Sequence, residues 1–308
     1  THAGLPADAD RVVQRHVLRM AEAPLAAGQA DPKWTGGVLI LGQNKVTDAL
    51  KARLEKEGAQ VTVIANTGDL EATLAAVDAA WAKGPAPHLF ITTARDDAAS
   101  VASLDGWQTR RQVGVLAPFF VCQKWTQLVQ QAKLTGVATL VGVTALGGDF
   151  GFGGRVHGIE GGGITGLFKG IRREMPEMLV KVVDAPFEEA PATLVEAIRR
   201  ELTDRNGPLE SGWIRGTRSI VRAVPQTASS QRRGQKTPHG NWVVTGGARG
   251  VTAVVARELG RRFGLTMHLL GSTQQPTIDP SWRNLTEEGL KTLKRTISDQ
   301  ARAAGKNP

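Results

Sequence analysis

Short apolar runs alternate along residues 36 to 225 with stretches in which apolar residues recur every three or four positions. Val38, Leu39, Ile40 and Leu41 form an unbroken apolar run, the pattern of a strand buried on both faces. Val46, Ala49, Leu50 and Leu54 then mark one face of a helix. The series continues with a strand at 60 to 65, a helix over about 69 to 83, a strand at 88 to 94 and a long helix near 112 to 132. After these come a strand at 137 to 144, a glycine-rich loop at 147 to 163, a helix near 164 to 174, a strand at 179 to 183 and a helix near 191 to 203. The last strand of this half includes Trp213, Ile214, Ser219, Ile220 and Val221. Strands alternating with helices predict an α/β fold, a doubly wound parallel sheet with helices on both faces. Residues 1 to 35 are an Ala- and Pro-rich segment, in which residues 11 to 19 suit an edge strand with its arginines and His16 facing solvent.

A second beginning follows. Residues 226 to 239, QTASSQRRGQKTPH, read as a polar, basic linker, and residues 240 to 308 as part of another unit. Trp242, Val243 and Val244 form a strand, Thr245 to Gly250 a turn, and Val251, Val254, Val255, Leu259 and Phe263 the apolar face of a helix. Arg257, Glu258, Arg261 and Arg262 fall on the opposite face, and Met267 to Leu270 form the returning strand. This order suits a Rossmann-like nucleotide cradle. Side chains in the turn would hold the backbone away from a pyrophosphate, whose charge is met by free N–H groups and the helix dipole. The candidate contacts are Thr245, Gly246, Gly247, Arg249, Gly250 and Val251, with Gly271, Ser272 and Thr273 after the second strand. The alternative is a turn that uses its glycines only for tight packing. Sites for NAD place an Asp or Glu about 20 residues past the first glycine; residues 268 to 273, HLLGST, hold none, which favours NADP(H). Beyond a loop, Leu285, Leu290, Leu293 and Ile297 mark an amphipathic helix.

Composition narrows the picture. A chain of 308 residues with 41% hydrophobic residues, 36 glycines and 15 prolines suits about two soluble domains. No apolar run approaches the ~20 residues of a membrane span, and THAGLPADAD lacks the basic and apolar parts of a leader, so no membrane partner and a cytoplasmic setting are expected. Cys122 is the one cysteine, which excludes disulfide frameworks and cysteine-based metal sites; no metal is expected, and Cys122 reads as a small apolar residue. The net charge of +9 suits an anionic cofactor or an acidic protein. Its arginine pairs, at 110 and 111, 172 and 173, 199 and 200, 232 and 233, and 261 and 262, are dispersed without interleaved aromatics, so no nucleic-acid partner is expected.

The run TGGARGVT resembles the T-G-x-x-x-G-x-G pattern of short-chain dehydrogenases/reductases, with Thr252 where the last glycine stands. The chain is most similar to the ketoreductase domains of modular polyketide synthases and polyunsaturated fatty acid synthases. That resemblance implies a role for Arg249 on the 2′-phosphate of NADP, although many such ketoreductases carry a further arginine where this chain has Ser272. It also makes VLILGQNKVTDAL a degraded copy of WVVTGGARGVTAVV, in which Gln43, Asn44 and Lys45 fill the phosphate approach. The family's serine, tyrosine and lysine would correspond in the first half to Thr144, Thr165 and Lys169, but the chain contains no tyrosine. A threonine hydroxyl is far too weak an acid to replace a phenol, so no catalytic residue is expected in this chain.

Residues 36 to 225 therefore resemble the structural, noncatalytic subdomain of a modular ketoreductase, and residues 240 to 308 the start of its NADP-binding catalytic subdomain. The resemblance implies a fragment of a β-ketoacyl reductase module, inactive alone, whose partners are the remainder of the ketoreductase domain and an acyl carrier protein. Two alternatives stand beside it: a pseudoreductase scaffold that organises neighbouring domains, and an NADPH-sensing binding module.

Overall fold

The computed structural model describes residues 15–25, 32–96, 103–226, 237–272 and 279–305. The chain divides into two compact units, Thr1–Ala228 and Ser229–Pro308. The first holds an eight-stranded sheet of β1 (His16–Glu22), β2 (Gly37–Leu41), β3 (Gln60–Ile64), β4 (His88–Ile91), β5 (Thr139–Thr144), β6 (Leu179–Asp184), β7 (Glu210–Ile214) and β8 (Thr217–Pro225). Their order is β1-β8-β7-β6-β5-β4-β2-β3. From β3 to β7 all neighbours are parallel; β7–β8 and β8–β1 are antiparallel.

Alternate residues of each strand face opposite sides of a sheet, and here both sides are covered. Leu39, Leu41, Leu89, Ile91, Leu140 and Val182 meet Val77, Trp125 and Phe168 from the helices Leu70–Ala82, Ala117–Gln131 and Gly161–Glu174. Val38, Ile40, Phe90, Val141 and Val183 meet Leu50, Leu54, Leu194 and Ile198 from the helices Lys45–Lys56 and Pro191–Thr203. The unbroken apolar runs in the sequence are thus strands with two buried faces. Cys122 lies within this core, where burial pushes its thiol up to about 12. At Gly142 a Cβ would stand 2.9 Å from Ile164, so the missing side chain lets the helix Gly161–Glu174 close on the sheet.

Several boundaries differ from the sequence reading for local reasons. The long helix starts at Leu104 rather than near 112, because the Ser103 hydroxyl accepts the Gly106 N–H at 3.0 Å and caps it. It passes through one π-turn, Gln112–Leu116, where Ala117 N–H bonds the Gln112 carbonyl just before Pro118, which has no N–H to donate. The helix expected from 164 begins at Gly161, which shortens the glycine-rich loop. The strand expected at 88 to 94 stops at Ile91, and Thr93–Arg95 turn as a short 3-10 helix. The final strand is two: Arg215 (φ 48°) and Gly216 (φ 80°) make a hairpin turn with both residues left-handed. The N-terminal edge strand belongs to the same sheet through β8; residues 11 to 14 of the run read as that strand lie outside the described residues, and His16 is exposed as expected.

Buried polar groups fix two places in this unit. Glu201 is fully buried and accepts Arg218 Nη2 at 3.0 Å and Trp213 Nε1 at 2.8 Å, while Arg218 Nη1 donates to the Ala23 carbonyl at 2.6 Å. One carboxylate thereby ties the helix Pro191–Thr203 to β7 and β8, and its partner arginine reaches the exit of β1. At the start of β4, His88 lies 3.2 Å from the Thr35 carbonyl through Nε2 and edge-on to Trp34, with Nδ1 buried and without a partner among the described residues. Burial pulls its imidazole down to about 4, against the bond to Thr35, which pulls it up.

The second unit contains β9 (Asn241–Thr245) and β10 (Thr266–Leu270), paired in parallel, with the helix Gly250–Phe263 between them and the helix Glu287–Ala303 after them. Its apolar residues are largely open: Val243 is 67% and Val251 80% exposed.

Two outcomes are expected. Glu201→Ala strands the Arg218 charge and the Trp213 N–H in the core and should cost about 3–5 kcal/mol in urea unfolding, whereas removing Glu55 from its exposed pair with Lys51 should cost at most about 0.5 kcal/mol. Because His88 binds its proton less readily folded than unfolded, stability should fall as pH drops from about 6.5 towards about 4. A His88→Leu variant should lose about 3 kcal/mol of that dependence, and an unaltered pH profile would refute the assignment.

Candidate nucleotide site

The turn of the second unit follows β9 without interruption. Gly246 (φ 68°) and Gly250 (φ 61°) occupy the left-handed region, and a Cβ at either would meet no atom within 4 Å. The approach to this backbone is open. Gly247 differs: a Cβ there would lie 2.7 Å from Leu269 and 2.9 Å from Val244, so its absence seats the turn on the two strands. Gly246 N–H donates to the Leu270 carbonyl at 2.7 Å. Arg249 stands at the N-cap position, and no side chain among the described residues caps the helix Gly250–Phe263. Its first-turn N–H groups are left without a side-chain acceptor, the condition in which a helix N-terminus accepts an anion.

Thr245 and Leu270 are paired in register, so Thr245 to Val251 and the residues after Leu270, Gly271 and Ser272, share the same end of the two strands. Thr273 lies outside the described residues. Arg249, Gly271 and Ser272 are exposed. Residues 268 to 272 include no carboxylate near the end of β10. The open glycines and the helix start fit a phosphate group, and residues 268 to 272 bring no acidic side chain against a second phosphate on the ribose.

The corresponding turn of the first unit is closed. Asn44 caps the helix Lys45–Lys56 by accepting the N–H groups of Val46 and Thr47 at 3.0 Å each. Its amide donates to the Thr92 carbonyl at 3.1 Å and to Asp96 Oδ1 at 2.6 Å, and Gln43 N–H donates to the same oxygen at 2.8 Å. Gln43 and Lys45 are exposed. Of residues 43 to 45, expected to fill the approach, Asn44 does so with its side chain, together with an aspartate that the spacing around residue 43 could not reveal, while Gln43 contributes its backbone N–H.

The three positions matched to a catalytic serine, tyrosine and lysine are each engaged with another group. The Thr144 hydroxyl donates to Asp184 at 2.7 Å, the Thr165 hydroxyl to the Gly161 carbonyl at 2.8 Å, and Lys169 pairs with Glu210 at 2.8 Å. The end of the sheet beside Thr144 is filled. Arg95, 3% exposed, donates to the carbonyls of Thr144, Ala185, Pro186 and Phe187, and burial pulls its guanidinium down to about 10. Burial pushes the Asp184 carboxyl up, against hydrogen bonds from Thr144, Phe150 and Leu146 that hold the loop after β5 in place. His157 stacks on Phe187 at 3.5 Å. Sequence reasoning missed Arg95, Asp96 and Asp184; their only signal was position, at the ends of β4 and β6.

Among the described residues no group of three or more His, Cys, Asp or Glu side chains is placed to hold a metal, and no helix is long and apolar enough to cross a membrane. No family model matches the chain, and no curated protein matches it. Solved structures do. The chain is similar, at 17% identity and a TM-score of 0.60 over 95% of its length, to an adenylation, ketoreductase and pseudo-Asub multidomain structure of a keto acid-selecting NRPS module. It is similar at 15% identity and a TM-score of 0.53 over 93% of its length to an N-terminal ketoreductase from the macrolactin assembly line. An A1-type ketoreductase matches at 20% identity and 0.51 over 91%. The chain spans 25%, 62% and 56% of those three chains. Its fold, a mostly parallel α/β sheet flanked by helices and followed by a second strand–turn–helix–strand unit, is that of the ketoreductase domains of modular synthases.

Proposed function

We propose that this chain comprises the structural half of a β-ketoacyl reductase module of a polyketide or fatty acid synthase, together with the opening of its NADP-binding half. In this reading the complete domain, in a cytoplasmic multifunctional enzyme, reduces a carrier-bound β-ketoacyl thioester with NADPH. The observation that carries it is the contrast between the two turns. The first is closed by Asn44 and Asp96, and the second offers open glycines and an uncapped helix.

Bound NADPH would supply the hydride. The backbone of residues 245 to 251 would hold the pyrophosphate, and Arg249, exposed at the head of the helix, would take the 2′-phosphate. Nothing in the chain can protonate the nascent alkoxide as a phenol does: there is no tyrosine, and Thr144, Thr165 and Lys169 are engaged with Asp184, Gly161 and Glu210. The acid, and the surface that holds the nicotinamide, belong to the remainder of the ketoreductase domain. The closed first turn equally favours a second reading, a noncatalytic scaffold.

The chain alone should bind NADPH weakly and reduce no simple ketone, while a polypeptide extended through the rest of the domain should turn over. Turnover by this chain, or an inert extended protein that carries its Tyr and Lys, overturns the enzymatic reading; the second result leaves the scaffold. Arg249→Ala should raise the Kd for NADPH about tenfold and leave NADH unchanged. The charge of +9 supports an acidic acyl carrier protein as partner. Titrating one at low ionic strength should shift surface resonances that recover at high salt, and an absence of shifts would leave the charge as solvation.

A further inference from the structure

The strand order of the first sheet reverses between β2 and β4, with β3 on one side and β5 on the other. In open α/β sheets the crevice beyond such a switch point is the ligand position. A carboxylate already stands there. Asp96 reaches it from the turn after β4, and its Oδ1 accepts one backbone N–H, from Gln43 at 2.8 Å, and one amide N–H, from Asn44 at 2.6 Å. Asn44 passes the contact to the first turn of the helix Lys45–Lys56 through its bonds to Val46 and Thr47. The crevice is also tight. Thr47 and Thr92 share a hydroxyl–hydroxyl bond of 2.7 Å, and a Cβ at Gly42 would fall 2.1 Å from Thr92 Oγ1. Backbone N–H, side-chain amide and the positive end of a helix are the groups that bind a free oxyanion. Thr93, in the same turn after β4 and 4% exposed, has no hydrogen-bond partner for its Oγ1 among the described residues.

We propose that the switch point of the first unit is an oxyanion site whose permanent ligand is the chain's own Asp96 carboxylate. The unit is built as a nucleotide domain that carries its anion internally. A free carboxylate or phosphate is kept out while Asp96 is in place and is admitted when Asp96 gives way to a small uncharged residue. The inference stands on the geometry of the first unit and does not depend on the ketoreductase reading.

The test uses the full chain and compares Asp96→Ala, Asp96→Asn and Asp96→Ala/Asn44→Ala with the unaltered protein. Thermal melting is followed in chloride, formate and inorganic phosphate at matched ionic strength. Asp96→Ala should melt about 3–8 °C lower in chloride, the size expected for a lost charged hydrogen-bonded contact. Formate should restore part of that loss saturably in Asp96→Ala, and it should change neither the unaltered protein nor the double variant. Phosphate should do the same if the position admits a tetrahedral anion; rescue by formate alone still supports a carboxylate-sized site. Equal shifts in all proteins, or no shift in Asp96→Ala, overturn the proposal. If Asp96→Ala fails to fold, Asp96→Asn decides: it keeps the shape and loses the charge, so a lowered midpoint supports the site and an unchanged one refutes it.

Discussion

Every parallel strand that runs into a helix delivers backbone N–H groups to the same edge of the sheet, and something must accept them. That constraint organises this molecule. In the first unit the chain meets it from within, through Asn44 at the helix and Asp96 behind it, and Arg95 satisfies carbonyls at the neighbouring ends of β5 and β6. In the second unit no side chain among the described residues meets it, and a Cβ at Gly246 or Gly250 would stand in open space. The same local architecture is therefore sealed by side chains in one place and left open in the other.

The sealing depends on charges in the interior. Isolated, such groups cost several kcal/mol each; here each has a directed partner. Arg95 spends its guanidinium on four carbonyls, Asp184 collects a hydroxyl and backbone N–H groups, and Glu201 divides itself between Arg218 and Trp213. Groups that could titrate serve here as struts. Lys169, on the helix Gly161–Glu174, pairs with Glu210.

The sequence made the sheet legible because its central strands are buried on both faces, which leaves unbroken apolar runs such as Val38 to Leu41. The glycine turn was legible for the opposite reason: Gly246 and Gly250 stand at positive φ, which selects the residue. Helix starts were less visible. Ser103 sits before a segment with few apolar residues, so its cap gave no periodic signal, and the π-turn before Pro118 broke the period that remained. The closure of the first turn was hidden more deeply, because Asp96 lies 52 residues from Asn44 and meets it only in the folded sheet. A gap in a local motif can show that a site is lost, and it carries no record of what took its place.

The antiparallel pairing of β1 with β8 joins His16 to Pro225, the two ends of the first unit. β1 cannot pair until β8, far along the chain, has been synthesised. At ~5–20 residues per second β1 therefore waits on the order of 10–40 s on the ribosome. During that interval the parallel strands can gather around β2, β4 and β5, while β1 stays an open edge. Closure of the sheet is a late, long-range event whose loop entropy must be met by a nearly finished core. Arg218, which holds both Glu201 and the carbonyl of Ala23, is the latch of that last step.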